Sequence, residues 1–92
     1  MKLARVVGQV VATAKASQLS GTTILLVEDF ADSAAGHYAA IDLIGAGQDE
    51  VVLVATGSGA RIAAGAETVP TDAAIVAIAD TIITHGAVSY SK

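Results

Sequence analysis

The chain has no cysteine, few aromatic side chains and few basic residues, and each shortage removes a class of function. Without cysteine there is no disulfide framework, no thiolate metal ligand and no thiol nucleophile. Aromatic residues make up 3% of the 92 residues, too few for the stacking platforms on which single-stranded nucleic acids bind. Five basic against nine acidic residues give a net charge of −4, the wrong sign for a phosphate backbone. We therefore expect no nucleic-acid partner.

Long hydrophobic runs are also missing. The longest uninterrupted apolar stretch, residues 73–79, is far shorter than the roughly 20 residues that a membrane-spanning helix needs. The first residues, Met1 to Arg5, include basic side chains, but they lead into Gly8 and Gln9 rather than into the apolar core of a signal peptide. We therefore expect a cytoplasmic protein with no membrane partner.

Apolar residues are abundant for so short a chain. They make up 53% of the sequence, and counting the nine Gly in place of the two Tyr gives about 61%, against about 45–50% in an ordinary soluble domain. A chain of 92 residues forms a single domain, and a domain of this size buries only about 60% of the surface that its unfolded chain exposes. An apolar patch should therefore face outward, which favours association between subunits.

The kinds of apolar residue indicate β-structure. Val and Ile together number 19 against six Leu, and β-branched side chains suit a pleated sheet better than a helix. Gly8 is a candidate β-bulge in the first strand. A short Ala-rich helix is predicted over residues 60–66, with Ser58 as its cap and Gly65 limiting its length. The five predicted strands cover residues 6–13, 22–28, 37–44, 51–55 and 73–83.

Five short strands and one short helix predict a mainly β fold, a small closed five-stranded OB-like β-barrel, because closure leaves no exposed edge strand. We expect one barrel domain over residues 1–83, followed by a polar and loose C-terminal tail over residues 84–92. An Ala-rich helix is the alternative for residues 73–83.

Each candidate motif for catalysis, cofactor binding or metal binding lacks a residue that the motif requires. Gly57-Ser58-Gly59 follows an apolar strand, as a dinucleotide-binding turn would, but Ile62 stands where that motif needs its third small residue. His37 and His85 lie on different segments, and neither has the partner spacing of a metal site. Ser58 lacks the flanking glycines of a nucleophile elbow. We therefore expect no enzymatic activity, no cofactor and no metal.

Two charged residues stand out in apolar surroundings. The Asp80 side chain must either face solvent or accept hydrogen bonds from a donor, because an unpaired buried charge is costly. Solvent exposure is the simpler hypothesis, and an ion pair with Arg61 or Arg5 is the more specific one. Arg61 offers a fork of hydrogen-bond donors that suits carboxylates or carbonyls across a subunit interface. It is the best single interface candidate on chemical grounds.

Taken together, the segments resemble the EutN/CcmL family, the pentameric vertex proteins of bacterial microcompartment shells. The resemblance runs from Lys2 to about Ile82. Its order and spacing are more specific than any one motif. The segments that carry it are the opening strand at residues 2–13, the strand at 25–27, the strand, Gly-Ala-Gly turn and strand at 40–54, and the stretches at 57–61 and 70–80.

The resemblance implies a small β-barrel subunit, a homopentameric ring at the vertices of a polyhedral shell, and hexameric shell proteins as neighbours. It implies no catalysis. Asp49 departs from the family pattern, because family members usually have a second glycine there, and Gly59 stands where a small polar residue is common. The alternative is an OB-like module that binds an oligonucleotide or an oligosaccharide.

We assign one set of residues to a subunit interface or to the central opening of such a ring. Glycines in the turn permit close approach of backbones, and the other members are polar or small residues of the matching segments. The set is Gly45, Ala46, Gly47, Glu50, Ser58, Arg61 and Asp80.

Overall fold

The computed structural model describes residues 1–13, 15–65 and 69–92. Within these residues the chain forms seven β-strands, one α-helix and two single-turn 3₁₀ helices, Ser17–Leu19 and Ser33–Ala35. The longer elements, in chain order, are β1 (Lys2–Val10), β2 (Thr23–Asp29), β3 (His37–Asp42), β4 (Val51–Thr56), α1 (Ser58–Ala63), β5 (Ala73–Ile78), β6 (Thr81–Thr84) and β7 (Ala87–Ser91).

Strands β1 to β5 form a closed barrel in the order β1-β2-β3-β5-β4, which confirms the predicted fold class. The β3 and β5 strands are parallel, and the other neighbouring pairs are antiparallel. The pairing of β1 with β4 closes the sheet, so that no barrel strand is left as an open edge. The register of β1 against β2 shifts between Val6 and Gly8, a bulge at the position that the sequence predicts.

Alternating side chains fill the barrel interior. Ala4 and Val6 of β1, Val27 of β2, and Val52 and Val54 of β4 are all fully or almost fully buried. Ile75 of β5 packs in the same cluster. Because these side chains are short, five strands can close around them. A second, smaller cluster of Ile41, Ala60 and Ala74 joins α1 to the outside of the barrel.

A glycine lies just outside each end of the helix α1. Gly57 precedes it with a φ of 60°, and no side chain caps its first turn. The predicted capping role of Ser58 is therefore wrong, because Ser58 is itself the first helical residue. Gly65 has a φ of 88°, a left-handed conformation that favours glycine and ends the helix as predicted.

The last part of the chain differs most from its prediction. The predicted strand over residues 73–83 breaks after Ile78, and β6 starts a separate two-stranded sheet with β7. Residues 84–92, predicted to be loose, instead complete this hairpin, and the predicted boundary after Ile83 falls inside β6. The turn residues His85 and Gly86 have φ values of 51° and 77°, which match a two-residue type I′ turn.

Candidate functional site

The carboxylate of Asp42 holds the first part of the loop between β3 and β4. The backbone N–H groups of Ile44 and Gly45 donate to Asp42 Oδ1 at 3.2 and 3.1 Å, and the N–H of Ala46 donates to Oδ2 at 2.9 Å. Asp42 thus satisfies three successive donors that have left the β-ladder. This turn ends β3 at Asp42, two residues earlier than the sequence predicts.

Glu50 closes the other end of the loop. Its Oε1 accepts a hydrogen bond from the N–H of Gly47 at 2.6 Å, and its Oε2 pairs with Lys92 Nζ at 2.6 Å. The Lys92 ammonium, and after it the Gly47 N–H, lower the pKa of Glu50. The Glu50 carboxylate in turn raises the pKa of Lys92. Both groups are therefore charged near neutral pH, and their pair ties the loop to the residue that follows β7.

Asp49 carries the strained backbone of the loop. Its φ is 68°, a left-handed conformation that few residues other than glycine adopt. Its N–H donates to the carbonyl of Val6 at 2.9 Å, and its own carbonyl accepts from Arg5 Nη1 at 2.8 Å. Gln48 Nε2 adds a bond to the carbonyl of Val7 at 3.1 Å. The loop is thus fastened to β1 at the bulge.

Arg5 also connects the barrel to the hairpin. The rings of Phe30 and Tyr90 meet edge to face, with centroids 5.7 Å apart. The Arg5 guanidinium carbon lies 5.7 Å from the centroid of Phe30 and 6.0 Å from that of Tyr90, within range of a cation–π contact. Sequence reasoning missed Arg5, Tyr90 and Lys92 as members of this site. No local pattern marks them, because their partners are distant in the chain.

Asp80 lies beside the same loop through its backbone. The N–H of Lys92 donates to the carbonyl of Asp80 at 2.8 Å, and the Lys92 side chain reaches Glu50. The Asp80 side chain is exposed. Among the described residues it pairs with neither Arg5 nor Arg61, so the predicted ion pair is wrong and the solvent-facing interpretation of Asp80 is correct.

The structure divides the seven predicted interface residues into two groups. Gly45, Ala46, Gly47 and Glu50 share the loop before β4, with Asp80 next to it. Ser58 and Arg61 lie on α1, which packs against β4 and β5, and no hydrogen bond or ion pair within residues 1–13, 15–65 and 69–92 links them to the loop. Ser58 is exposed and Arg61 is half-buried.

The remaining polar cluster sits near the start of β1. Lys2 Nζ pairs with Asp29 Oδ1 at 3.0 Å and lies 4.8 Å from the centre of the Tyr38 ring. Asp29 raises the pKa of Lys2, and burial raises the pKa of Tyr38. An open pocket of about 520 Å³ beside Lys2 and Tyr38 is lined further by Ala39, Thr56, Gly57, Asp72 and Ala73.

The part of the chain that the structure describes has neither a metal-binding cluster nor a membrane-spanning helix. It contains no group of three or more His, Asp or Glu side chains that could hold a metal ion. None of its helices is long and apolar enough to cross a bilayer.

Comparisons with known proteins show a likeness over most or all of the chain. The family model described as "Ethanolamine utilisation protein EutN/carboxysome" matches residues 1–80. The carboxysome shell vertex protein CcmL of Thermosynechococcus vestitus is 41% identical over 95 residues, which cover 100% of this chain and 96% of that protein.

Two solved structures extend the likeness to three dimensions. CcmL of Gloeobacter violaceus superposes with a TM-score of 0.90 at 38% identity, covering 100% of this chain and 98% of that one. The pentameric microcompartment shell protein GrpN of Rhodospirillum rubrum superposes with a TM-score of 0.79 at 38% identity, covering 91% and 98%.

Proposed function

The chain belongs to the EutN/CcmL family, and on that premise we propose that it is a structural vertex protein of a bacterial microcompartment shell, acting as a homopentamer. The observation that carries the proposal is the likeness in both sequence and fold over nearly the full length of shell vertex proteins. The alternative of an OB-like oligonucleotide- or oligosaccharide-binding module is not favoured, because these relatives are shell proteins.

Ring formation follows from simple symmetry. A head-to-tail interface that closes by rotation generates a ring, and five wedge-shaped copies fill a corner that flat hexagonal tiles cannot. We propose that hexameric shell proteins surround this ring, and that it resides in the shell within the cytoplasm. Each chain has a net charge of −4, so that five carry about −20, which influences how the ring meets charged neighbours. The role is structural and requires no catalysis and no cofactor.

The loop before β4 is the first part of the proposed interface or central opening. Gly45, Ala46, Gly47 and Glu50 form a short loop whose backbone is held by Asp42, Glu50 and β1 of the same subunit. Such a loop is already rigid before association, so little conformational entropy is lost when a neighbour contacts it. Asp80 borders this surface.

The helix α1 supplies the second part. Arg61 is half-buried near Ser58, and its planar guanidinium can bond a carboxylate or a pair of carbonyls on the next copy. A charge at a desolvated interface is costly to reverse, so Arg61→Glu should weaken the ring. Lys15→Glu makes the same change of charge at an exposed site and serves as the matched control.

Native mass spectrometry of the purified chain tests this proposal. We expect a species of five times the subunit mass of 9.1 kDa for the wild type and for Lys15→Glu, with smaller species for Arg61→Glu. Co-expression with hexameric shell proteins should place the chain in closed shells. A wild-type chain that remains monomeric at micromolar concentration would contradict the proposal.

A further inference from the structure

The β6–β7 hairpin is anchored at its base and projects beyond the barrel. At the base, Tyr90 packs on Phe30, and Lys92 bonds to both Glu50 and Asp80. Beyond that, every residue from 83 to 89 is exposed to solvent. The hairpin pairs with no barrel strand and forms a sheet of its own.

The outer half of this hairpin carries an apolar pair. Ile83 and Val88 face each other across the two strands, and they are 66% and 61% exposed. Two-stranded hairpins are marginally stable in water unless another surface covers them. An exposed apolar pair on such a hairpin therefore needs a partner surface.

The exposed surface and the radius of gyration of the chain also indicate that it needs a partner surface. It exposes 5292 Å² of surface, whereas a compact monomer of 9.1 kDa exposes about 4,900 Å². Its radius of gyration is 13.4 Å, against about 12.3 Å expected for a compact domain of 92 residues. The chain is thus more extended than a free globule, as expected for a subunit with a projecting arm.

We propose that the hairpin, Thr81–Ser91, is an arm that seats its Ile83–Val88 face on the neighbouring copy in the ring. This inference rests on the proposed pentamer, which the pentameric GrpN structure supports for a relative of the same fold. A projecting patch on one side of a subunit provides one half of a head-to-tail contact, the type that closes into rings.

The absence of charged residues on the hairpin is compatible with a second copy as its binding partner. Each subunit is acidic, with a net charge of −4, so that identical copies repel one another over most of their surface. The hairpin contains no Asp, Glu, Lys or Arg. It can therefore approach another acidic copy without adding to this repulsion, and its apolar pair loses no charge hydration on contact.

The double substitution Ile83→Thr with Val88→Thr tests the arm. Threonine keeps the branched shape and the strand preference, while it removes the apolar surface. We expect dissociation of the ring at concentrations about tenfold or more above those for the wild type. Val11→Thr is the matched control, because Val11 lies outside the hairpin and is 83% exposed. It should leave the ring intact.

The outcomes separate the arm from the proposed function. A wild-type chain that is not pentameric overturns the ring, and the arm with it. Wild-type and doubly substituted chains that are equally stable pentamers overturn the arm alone. The arm is also wrong if the doubly substituted pentamer is intact but no longer enters shells, since the pair then contacts a different shell protein.

A second measurement avoids dependence on folding of the double variant. The chain has no native cysteine, so Val88→Cys and Val11→Cys each introduce a single thiol. In the assembled ring we expect the thiol at position 88 to react with a hydrophilic alkylating reagent at least about tenfold more slowly than the thiol at position 11. Equal rates would show that no copy covers the hairpin.

Discussion

Replacement of Asp49 tests how much strain the loop before β4 stores. The backbone at Asp49 has a φ of 68°, which costs most non-glycine residues about 1–2 kcal/mol. Asp tolerates this conformation better than most residues, so its cost lies at the lower end. Glycine at position 49 removes that cost. It also lowers the unfolding free energy by about 0.5–1 kcal/mol, because the unfolded chain gains conformational freedom. Asp49→Gly should therefore leave the unfolding free energy unchanged or raise it by up to about 0.5 kcal/mol.

Two companion variants isolate the cause. Asp49→Asn keeps the tolerance for positive φ and removes the charge, so it should match the wild type. Asp49→Ala lacks a side chain that supports this conformation, so its unfolding free energy should be about 1 kcal/mol below that of the wild type. The bonds from Asp49 N–H to Val6 and from Arg5 to the Asp49 carbonyl involve the backbone of residue 49 and persist in each variant.

The measurement is urea unfolding at one fixed protein concentration, because association makes apparent stability depend on concentration. The expected order of stability is glycine at or above aspartate and asparagine, with alanine lowest. Equal stability of the alanine and glycine variants would refute the assignment of strain to this residue.

Three further predictions concern the core, the ion pair and the hairpin anchor. Ile75→Ala removes a large, fully buried side chain from the barrel and should lower the unfolding free energy by about 2–5 kcal/mol in urea titrations; a loss below about 1 kcal/mol would mean that the barrel collapses into the gap. Because the pKa of Glu50 is lowered in the folded chain, its contribution is complete above the ordinary value of 4.5 and is lost as the pH falls through the lowered value. Glu50→Gln should therefore flatten the fall in urea midpoint as the pH drops below the ordinary pKa of 4.5, and an unchanged slope would contradict the role of the pair with Lys92. Tyr90→Ala removes the contacts with Phe30 and Arg5, so amide exchange should accelerate in residues 81–91 but not in the barrel core; uniform acceleration would mean that the hairpin and the barrel open together.

The barrel strands were predictable because their signals are local. Four of the five barrel strands contain at least three β-branched residues, whereas β3 contains only Ile41. The bulge falls at the one glycine inside β1. The limits of β1 were predicted less well, as 6–13 rather than Lys2–Val10. Its start is set by pairing of Lys2 with Val54 of β4, and a strand distant in sequence cannot be found from local pattern.

The hairpin had a local signal that the prediction did not use. His85-Gly86 stands between two short runs with apolar residues, Thr81–Thr84 and Ala87–Ser91. Both turn residues need positive φ, which glycine adopts freely and histidine adopts more often than most residues. Hairpin turns of this type are usually recognised by Asn-Gly or Asp-Gly, so His-Gly is a weaker signal for a hairpin.

The sequence by itself determined the class of the protein. Its β-branched composition and glycine spacing indicate short strands, and the order of its motifs identifies the family. Only the tertiary structure decided how the loop before β4, Arg5 and the hairpin form one surface. Arg5 and its partner Asp49 lie 44 residues apart, and closure of the barrel brings them within 2.8 Å. Contacts of this kind depend on the path of the whole chain, which no local pattern records.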